Sequence, residues 1–125
     1  MTDKIAIVDK SKLLTNSISL FLENMFGKQV IARLTFNDDV KDSFEKNTPD
    51  IALVAFDHKD EKLVNDVHEL MNLFPDTIFV ALYNKKDHHH HSTVKKHGFY
   101  GFINRVSFIN DFKATINALQ SMPAA

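Results

Sequence analysis

The residues with the clearest capacity for chemistry are histidines. Four occur consecutively at His88–His91, and His58 follows an earlier apolar run. His88 and His91 are three residues apart, a spacing that would place both on one face of a helix, where imidazoles bind Zn²⁺ or Ni²⁺. Histidine also titrates between about pH 5 and 8, so the same residues could sense pH. The alternative, which we favour, is a solvated polar loop without a bound metal, because no flanking carboxylate–histidine pattern fixes the ligands.

Charged residues also follow two of the apolar runs. Asp9 and Lys10 come directly after the run Lys4–Val8, and Asp57 follows the run Ile51–Phe56. A carboxylate can ligate Mg²⁺ or act as a nucleophile. If these runs are neighbouring parallel strands, their carboxyl ends meet at one edge of a sheet, where ligands bind in such folds.

The composition is that of one ordinary globular domain. The chain has 125 residues, 44% of them hydrophobic, and Lys+Arg of 15 against Asp+Glu of 16 leaves a net charge of -1. This balance gives no reason to expect direct binding to nucleic acid or to an anionic membrane. The lack of cysteine excludes disulfides, thiolate metal sites and cysteine nucleophiles. No apolar run approaches the ~20 residues of a membrane span, and no signal-peptide pattern opens the chain, so we expect a cytoplasmic protein.

Alternating strands and helices are predicted along the chain. Five apolar runs rich in β-branched residues predict strands at Lys4–Val8, Gln29–Leu34, Ile51–Phe56, Thr77–Tyr83 and Phe99–Ile103. Apolar residues at helical spacing between them predict the buried faces of helices: Leu14, Ile18, Phe21 and Met25; Val40 and Phe44; Leu63, Val67, Leu70 and Phe74; Ile109, Phe112, Ile116 and Leu119. A weaker helix is predicted at Asp87–His97. The predicted helix boundaries are Gly27, Asn37, Gly98 and Ser107.

Five consecutive βα units predict an α/β fold of the flavodoxin-like (βα)5 type. This is a doubly wound, five-stranded parallel sheet with strand order 2-1-3-4-5, and helices cover both faces. We expect one domain over residues 1–122, with residues 123–125 as a C-terminal tail or the start of a linker. The residues expected at the crevice beyond the strand ends are Asp9, Lys10, Ala55, Phe56, Asp57, His58, Tyr83, Asn84, Asn104 and Arg105.

Besides the predicted fourth strand and the polar loop after it, three short segments carry a resemblance to a known family. These are the first strand end with IVDKS, the segment Pro49–Asp57 (PDIALVAFD), and the segment His97–Arg105 (HGFYGFINR), in which Gly98, Gly101 and Phe102 match the pattern G-A-x-G-[FY]-L-x-K. With these motifs the chain resembles the CheY-like receiver domains of response regulators, particularly those of NarL/LuxR-type regulators. The resemblance covers nearly the whole chain.

The resemblance implies five functional positions, and this sequence keeps one of them unchanged. In a working receiver two acids hold Mg²⁺, a strand aspartate accepts the phosphoryl group, and a Ser/Thr and a lysine bind the new phosphate. Asp9 matches the first acid, but Lys10 replaces the second, Ala55 replaces the phosphoacceptor, Tyr83 replaces the Ser/Thr and Arg105 replaces the lysine. Alanine has no nucleophilic oxygen, and an ammonium repels Mg²⁺. We therefore expect neither phosphorylation at the family position nor Mg²⁺ binding.

The resemblance also identifies the aromatic residue that moves when receivers switch. Phe102 matches the ring that turns inward when phosphate draws the Ser/Thr toward it. With Tyr83 at the Ser/Thr position, no hydroxyl lies at the right reach, and the phenol ring could fill the space that Phe102 would enter. We expect a static surface, or one switched by something other than phosphate.

Asp57 is the acid that could restore the chemistry. Continued strand alternation would place it on the same side as Ala55, roughly 6–7 Å further along, where it could be a displaced phosphoacceptor. The alternative is an acid at the edge of a loop, paired with Lys10 or Arg105. Lys10, Asp9 and Arg105 could likewise form an ion cluster in place of the metal and phosphate, unless Lys10 faces solvent.

The leading hypothesis is an atypical, non-phosphorylatable receiver domain, not an enzyme, that acts as a protein-interaction or dimerisation module in signal transduction or transcription regulation. The expected contact face comprises the predicted fourth helix, the fifth strand and the last helix, and a DNA-binding output domain is a possible further partner. Two alternatives stay open. One is phosphorylation at Asp57, and the other is a metal or pH sensor built on His58, His88 and His91.

Overall fold

Five strands form one parallel sheet in the computed structural model, which describes residues 4–83, 94–104 and 107–120. They are β1 (Lys4–Asp9), β2 (Gln29–Thr35), β3 (Ile51–Ala55), β4 (Ile78–Tyr83) and β5 (Gly101–Asn104). The strands lie in the order β2-β1-β3-β4-β5, and every neighbouring pair is parallel. The predicted flavodoxin-like fold and its strand order are thereby confirmed.

Four helices are described besides the sheet. They are α1 (Lys12–Phe26), α2 (Val40–Lys46), α3 (Glu61–Leu73) and α4 (Phe108–Gln120). Residues 94–96 are also helical and lead into a turn, in agreement with the end of the helix predicted at Asp87–His97, whose first part lies outside the described residues. None of the helices in the described ranges has the length and hydropathy to cross a lipid bilayer.

The core consists of two apolar layers, one on each face of the sheet. One layer lies on the side of α2 and α3 and includes Val8, Phe44, Phe56, Val67 and Tyr83. The other layer lies on the side of α1 and α4 and is built on Ile5, Ile7, Leu22, Leu53, Leu82 and Phe112, among others. The central strands contribute alternate residues to the two layers, which explains why their sequences are apolar throughout.

The prediction for the buried face of α1 was wrong at two positions. Leu14 is 36% exposed and Met25 is 61% exposed, whereas the buried residues are Thr15, Ile18, Ser19 and Leu22. Polar contacts explain this rotation of the helix. Arg33 of β2 donates from Nε to Ser19 Oγ (2.6 Å), and Ser19 Oγ donates to Glu23 Oε1 (2.9 Å). These bonds hold a polar stripe of α1 against β2.

The start of α2 also differs in detail from the sequence prediction. The N-cap of α2 is Asp39, whose side chain accepts from the Asp42 N–H (3.0 Å), because a turn closed by the bond from Asp38 N to Thr35 O occupies the position of Asn37. Gly27 ends α1 as predicted, in the left-handed region at φ 61°. Ser107 directly precedes α4 and donates its hydroxyl to the Asp111 carboxylate (3.1 Å).

Substitution of Phe44 tests how much the apolar layer beneath α2 contributes to the stability of the fold. The Phe44 side chain is fully buried and its ring lies 5.5 Å from the Phe74 ring. We expect Phe44→Ala to lower the free energy of unfolding by about 3–5 kcal/mol, because the substitution leaves a cavity in a packed core. Urea denaturation followed by circular dichroism measures this. The control is Leu13→Ala, since Leu13 is 76% exposed and should change stability by less than about 0.5 kcal/mol. Equal losses in the two variants would contradict the assignment.

Candidate functional site at the carboxyl edge of the sheet

Asp9 and Ala55 lie next to each other at the carboxyl edge of the sheet. Val8 of β1 pairs with Val54 of β3, so the next residues along these strands are Asp9 and Ala55. Asp9 is fully buried, and its Oδ1 accepts a hydrogen bond from the Lys10 backbone N–H at 2.6 Å. The structure therefore places Asp9 next to Ala55, the two positions that the resemblance assigns to the first metal-binding acid and to the phosphoacceptor.

The wall of the site at Ala55 is apolar. Ala55 is 2% exposed, and its partner in β4 is Leu82. By the alternation of β3 and β4, both belong to the same face of the sheet as Leu53. A methyl group and an isobutyl group offer neither a nucleophile nor a hydrogen bond to a phosphoryl group. At Ala55 and Leu82 the edge therefore offers no side-chain oxygen for phosphoryl transfer.

Tyr83 does not lie beside Ala55. It follows Leu82 in β4, so its side chain belongs to the opposite layer, where it is 7% exposed. Its ring makes edge contacts with Phe56 (centroids 6.4 Å apart) and with Phe102 (6.2 Å apart). Tyr83 and Phe102 are therefore in contact, with Tyr83 buried and Phe102 half-buried against it. No hydroxyl of β4 is brought next to Ala55, because the β4 residue at that place is Leu82.

Lys10 is exposed, which agrees with the alternative in which this side chain faces solvent. The other expected cation of the cluster, Arg105, lies outside the described residues, as do Asn84, His88 and His91. Among the residues that the structure describes, no group of three or more His, Asp or Glu side chains is placed to hold a metal ion.

Asp57 forms part of a turn. Strand β3 ends at Ala55, so strand alternation does not extend to Asp57. Its Oδ1 accepts from the Lys59 N–H (3.0 Å), and its carbonyl oxygen accepts from the Asp60 N–H (3.1 Å). Asp60 is the N-cap of α3, and His58 is exposed in the same turn. The visible role of the Asp57 carboxylate is thus to shape the connection from β3 to α3.

Sequence analysis missed a histidine pair. His68 of α3 and His97, which follows the helical residues 94–96, approach to 3.1 Å between Nε2 and Nδ1. Burial lowers the pKa of His97 below its ordinary value, and the nearby His68, Lys96 and His58 lower it further. The two histidines are 29 positions apart, and neither lies in a motif, so only the packing of α3 against residues 94–98 reveals the pair.

No protein-family model matches the sequence, and no curated protein matches it either. Solved structures do match, and several of them are receiver domains. The signal receiver domain of a DNA-binding response regulator (merR) from Colwellia psychrerythraea 34H is 18% identical, with a TM-score of 0.71 over 96% of this chain and 99% of that chain.

The receiver (REC) domain of RcsB from Salmonella enterica serovar Typhimurium, solved with the phosphomimetic BeF3⁻, is 14% identical, with a TM-score of 0.79 over 100% of this chain and 93% of that chain. A Salmonella typhimurium RcsB structure described for its DNA interaction is 14% identical, with a TM-score of 0.80, and the match covers 99% of this chain and 64% of that chain. The chain therefore has the receiver fold.

Substitution of Tyr83 tests whether its ring contacts with Phe56 and Phe102 stabilise the fold. We expect Tyr83→Ser, which introduces the small hydroxyl typical of receivers, to lower the free energy of unfolding by about 3 kcal/mol or more, because the buried ring is lost. Tyr83→Phe keeps the ring contacts with Phe56 and Phe102 and should lose no more than about 1.5 kcal/mol. Urea unfolding curves measure both variants. A Tyr83→Ser protein as stable as Tyr83→Phe would contradict the structural role of the ring.

Proposed function

We propose that this chain is an atypical receiver domain that is not phosphorylated and that acts as a protein-interaction or dimerisation module in signal transduction or transcription regulation. The observation that carries the proposal is the apolar edge at Ala55 and Leu82, where both side chains are buried. The receiver fold of the matching structures supports the signalling context.

The chemistry of the edge supports the loss of phosphoryl transfer. Aspartyl phosphorylation needs a carboxylate nucleophile, a metal ion to offset charge, and donors for the product phosphate. Ala55 provides no nucleophile. A second metal-binding acid is absent, since Lys10 stands beside Asp9 and its ammonium would repel a divalent cation. We therefore propose that no Mg²⁺ is bound and that the domain is not an enzyme.

An interaction role is the function that remains to this fold once phosphorylation is lost. The matching RcsB chain is longer than this one, and its structure is described for its DNA interaction. By analogy, we propose that this domain works with a DNA-binding output domain or a protein partner. We place the contact on the face formed by residues 94–98, β5 and α4. We propose that the domain itself does not bind DNA directly.

Measurement of the intact protein mass tests the absence of phosphorylation. After incubation with acetyl phosphate and Mg²⁺, we expect the intact mass of the protein to be unchanged, while a phosphorylatable receiver treated in parallel gains a phosphoryl group. Asp57→Ala is the matched variant. A Mg²⁺-dependent phosphoryl adduct that disappears in Asp57→Ala would overturn the proposal and make Asp57 a relocated acceptor.

Sedimentation velocity over a range of protein concentrations separately tests the part of the proposal that concerns dimerisation. We expect the same association behaviour with and without acetyl phosphate and Mg²⁺, because the contact does not depend on a phosphoryl group. An assembly state that changes only when the phosphodonor is present would contradict a phosphate-independent module.

A further inference from the structure

His68 and His97 meet in a groove between α3 and the segment formed by residues 94–98. The groove has a volume of about 500 Å³ and is lined by His68, Met71, Lys96 and His97, among others. The two rings are 5.2 Å apart between centroids and inclined by 34°. This contact between two titratable side chains joins α3 to the segment.

The 3.1 Å approach of His68 Nε2 to His97 Nδ1 is a hydrogen bond. Such a bond needs one nitrogen that carries a proton and one that offers a lone pair. The pair can therefore be neutral or carry one added proton. When both imidazoles are protonated, both nitrogens are donors, the bond is lost, and two positive charges face each other.

The surroundings of His97 oppose its protonation. Its ring packs on Phe56 at 5.2 Å, so part of the imidazole is removed from water. Among the described residues, the titratable or charged groups that act on it are His68 from α3, Lys96 from its own segment and His58 from the turn after β3. Each of these is a cation or becomes one on protonation, and no carboxylate is among them. Burial lowers the pKa of His97 most, followed by these three groups.

A chain of ring contacts connects this pair to the aromatic residue of β5. His97 contacts Phe56 at 5.2 Å, Phe56 contacts Tyr83 at 6.4 Å, and Tyr83 contacts Phe102 at 6.2 Å. Phe56 and Tyr83 are buried in one apolar layer, and Phe102 packs against that layer. A displacement of the His97 ring therefore cannot leave its neighbours in the close-packed layer unaffected.

We propose that the His68–His97 pair is a proton-operated contact: protons on both facing nitrogens separate α3 from residues 94–98 and reposition Phe102 through Phe56 and Tyr83. This inference goes beyond the proposed interaction role and does not depend on the absence of phosphorylation at Ala55. It gives the fold an input that requires no phosphoryl group.

The direction of the pH effect follows from linkage. The folded state lowers the pKa of His97. In the unfolded chain histidine titrates at about pH 6.5. Between the lowered pKa and about pH 6.5, the unfolded chain therefore binds more protons than the folded protein. The contribution of neutral His97 to stability is complete above about pH 6.5 and is lost as the pH falls through the lowered, folded-state pKa.

The test is a pH titration of the full chain from pH 8 to pH 5, observed by ¹H–¹⁵N NMR in the presence of EDTA. We expect the amides of α3, residues 94–98 and Phe102 to shift together, with one common midpoint below the ordinary histidine value. His68→Gln and His97→Gln should each abolish the shift at Phe102, because glutamine forms hydrogen bonds but does not titrate. The two substitutions provide independent tests if one variant fails to fold.

His58→Gln is the matched control. His58 acts on His97 but is exposed and outside the pair, so the Phe102 shift should persist in this variant. A Phe102 titration that survives in both His68→Gln and His97→Gln, or that is lost equally in His58→Gln, would overturn the proposal. It would also be overturned if His97 titrates in the wild-type protein while Phe102 stays unchanged. The phosphodonor experiment has no bearing on these outcomes, so the two proposals fail separately.

Discussion

The structure depends on the burial of a parallel sheet on both faces. Strands β1, β3 and β4 contribute residues that are almost completely buried, and the alternate side chains enter two separate apolar layers. A parallel sheet of this kind is stable only when helices cover both faces. The pairing of β1 with β3 and of β3 with β4 then fixes which side chains meet at the carboxyl edge. Among the described residues this edge joins Asp9, Ala55 and Leu82.

The same constraint favours apolar side chains at the ends of β3 and β4. An alanine at the end of β3 removes a charge that a buried position would otherwise have to accommodate, and its apolar partner Leu82 extends the packed layer to the edge of the sheet. On the other face, Tyr83 occupies the interior with Phe56, and Phe102 rests against its ring. Hydrophobic groups thus fill both faces of the sheet at this edge.

Most of the fold could be predicted from the sequence, because its signals are local and repeated. Apolar runs and helical periodicity predicted the five strands, the described helices and the strand order. The errors arose where polar contacts overrode the local signals of the sequence. The bonds between Arg33 and Ser19 turned α1 so that Met25 is exposed, and the turn from Thr35 to Asp38 moved the start of α2 past Asn37.

The candidate site was predicted in part. The adjacency of Asp9 and Ala55 follows from strand order alone. The placement of Tyr83 required the register of β3 against β4, although the alternation of side chains along β4 already indicated that Leu82 and Tyr83 face opposite layers. The His68–His97 contact joins residues 29 positions apart through helix packing, and no pattern in the sequence encodes such a contact.

The central claim is that the carboxyl edge does not respond to a phosphoryl group. It is tested most directly by adding BeF3⁻ and Mg²⁺ to the protein while recording the amide NMR signals of Asp9, Ala55 and Phe102, with a phosphorylatable receiver domain as the positive control. Our account predicts no saturable change at these three residues. A saturable, Mg²⁺-dependent shift at Asp9 and Ala55 that is accompanied by a shift at Phe102 would contradict it.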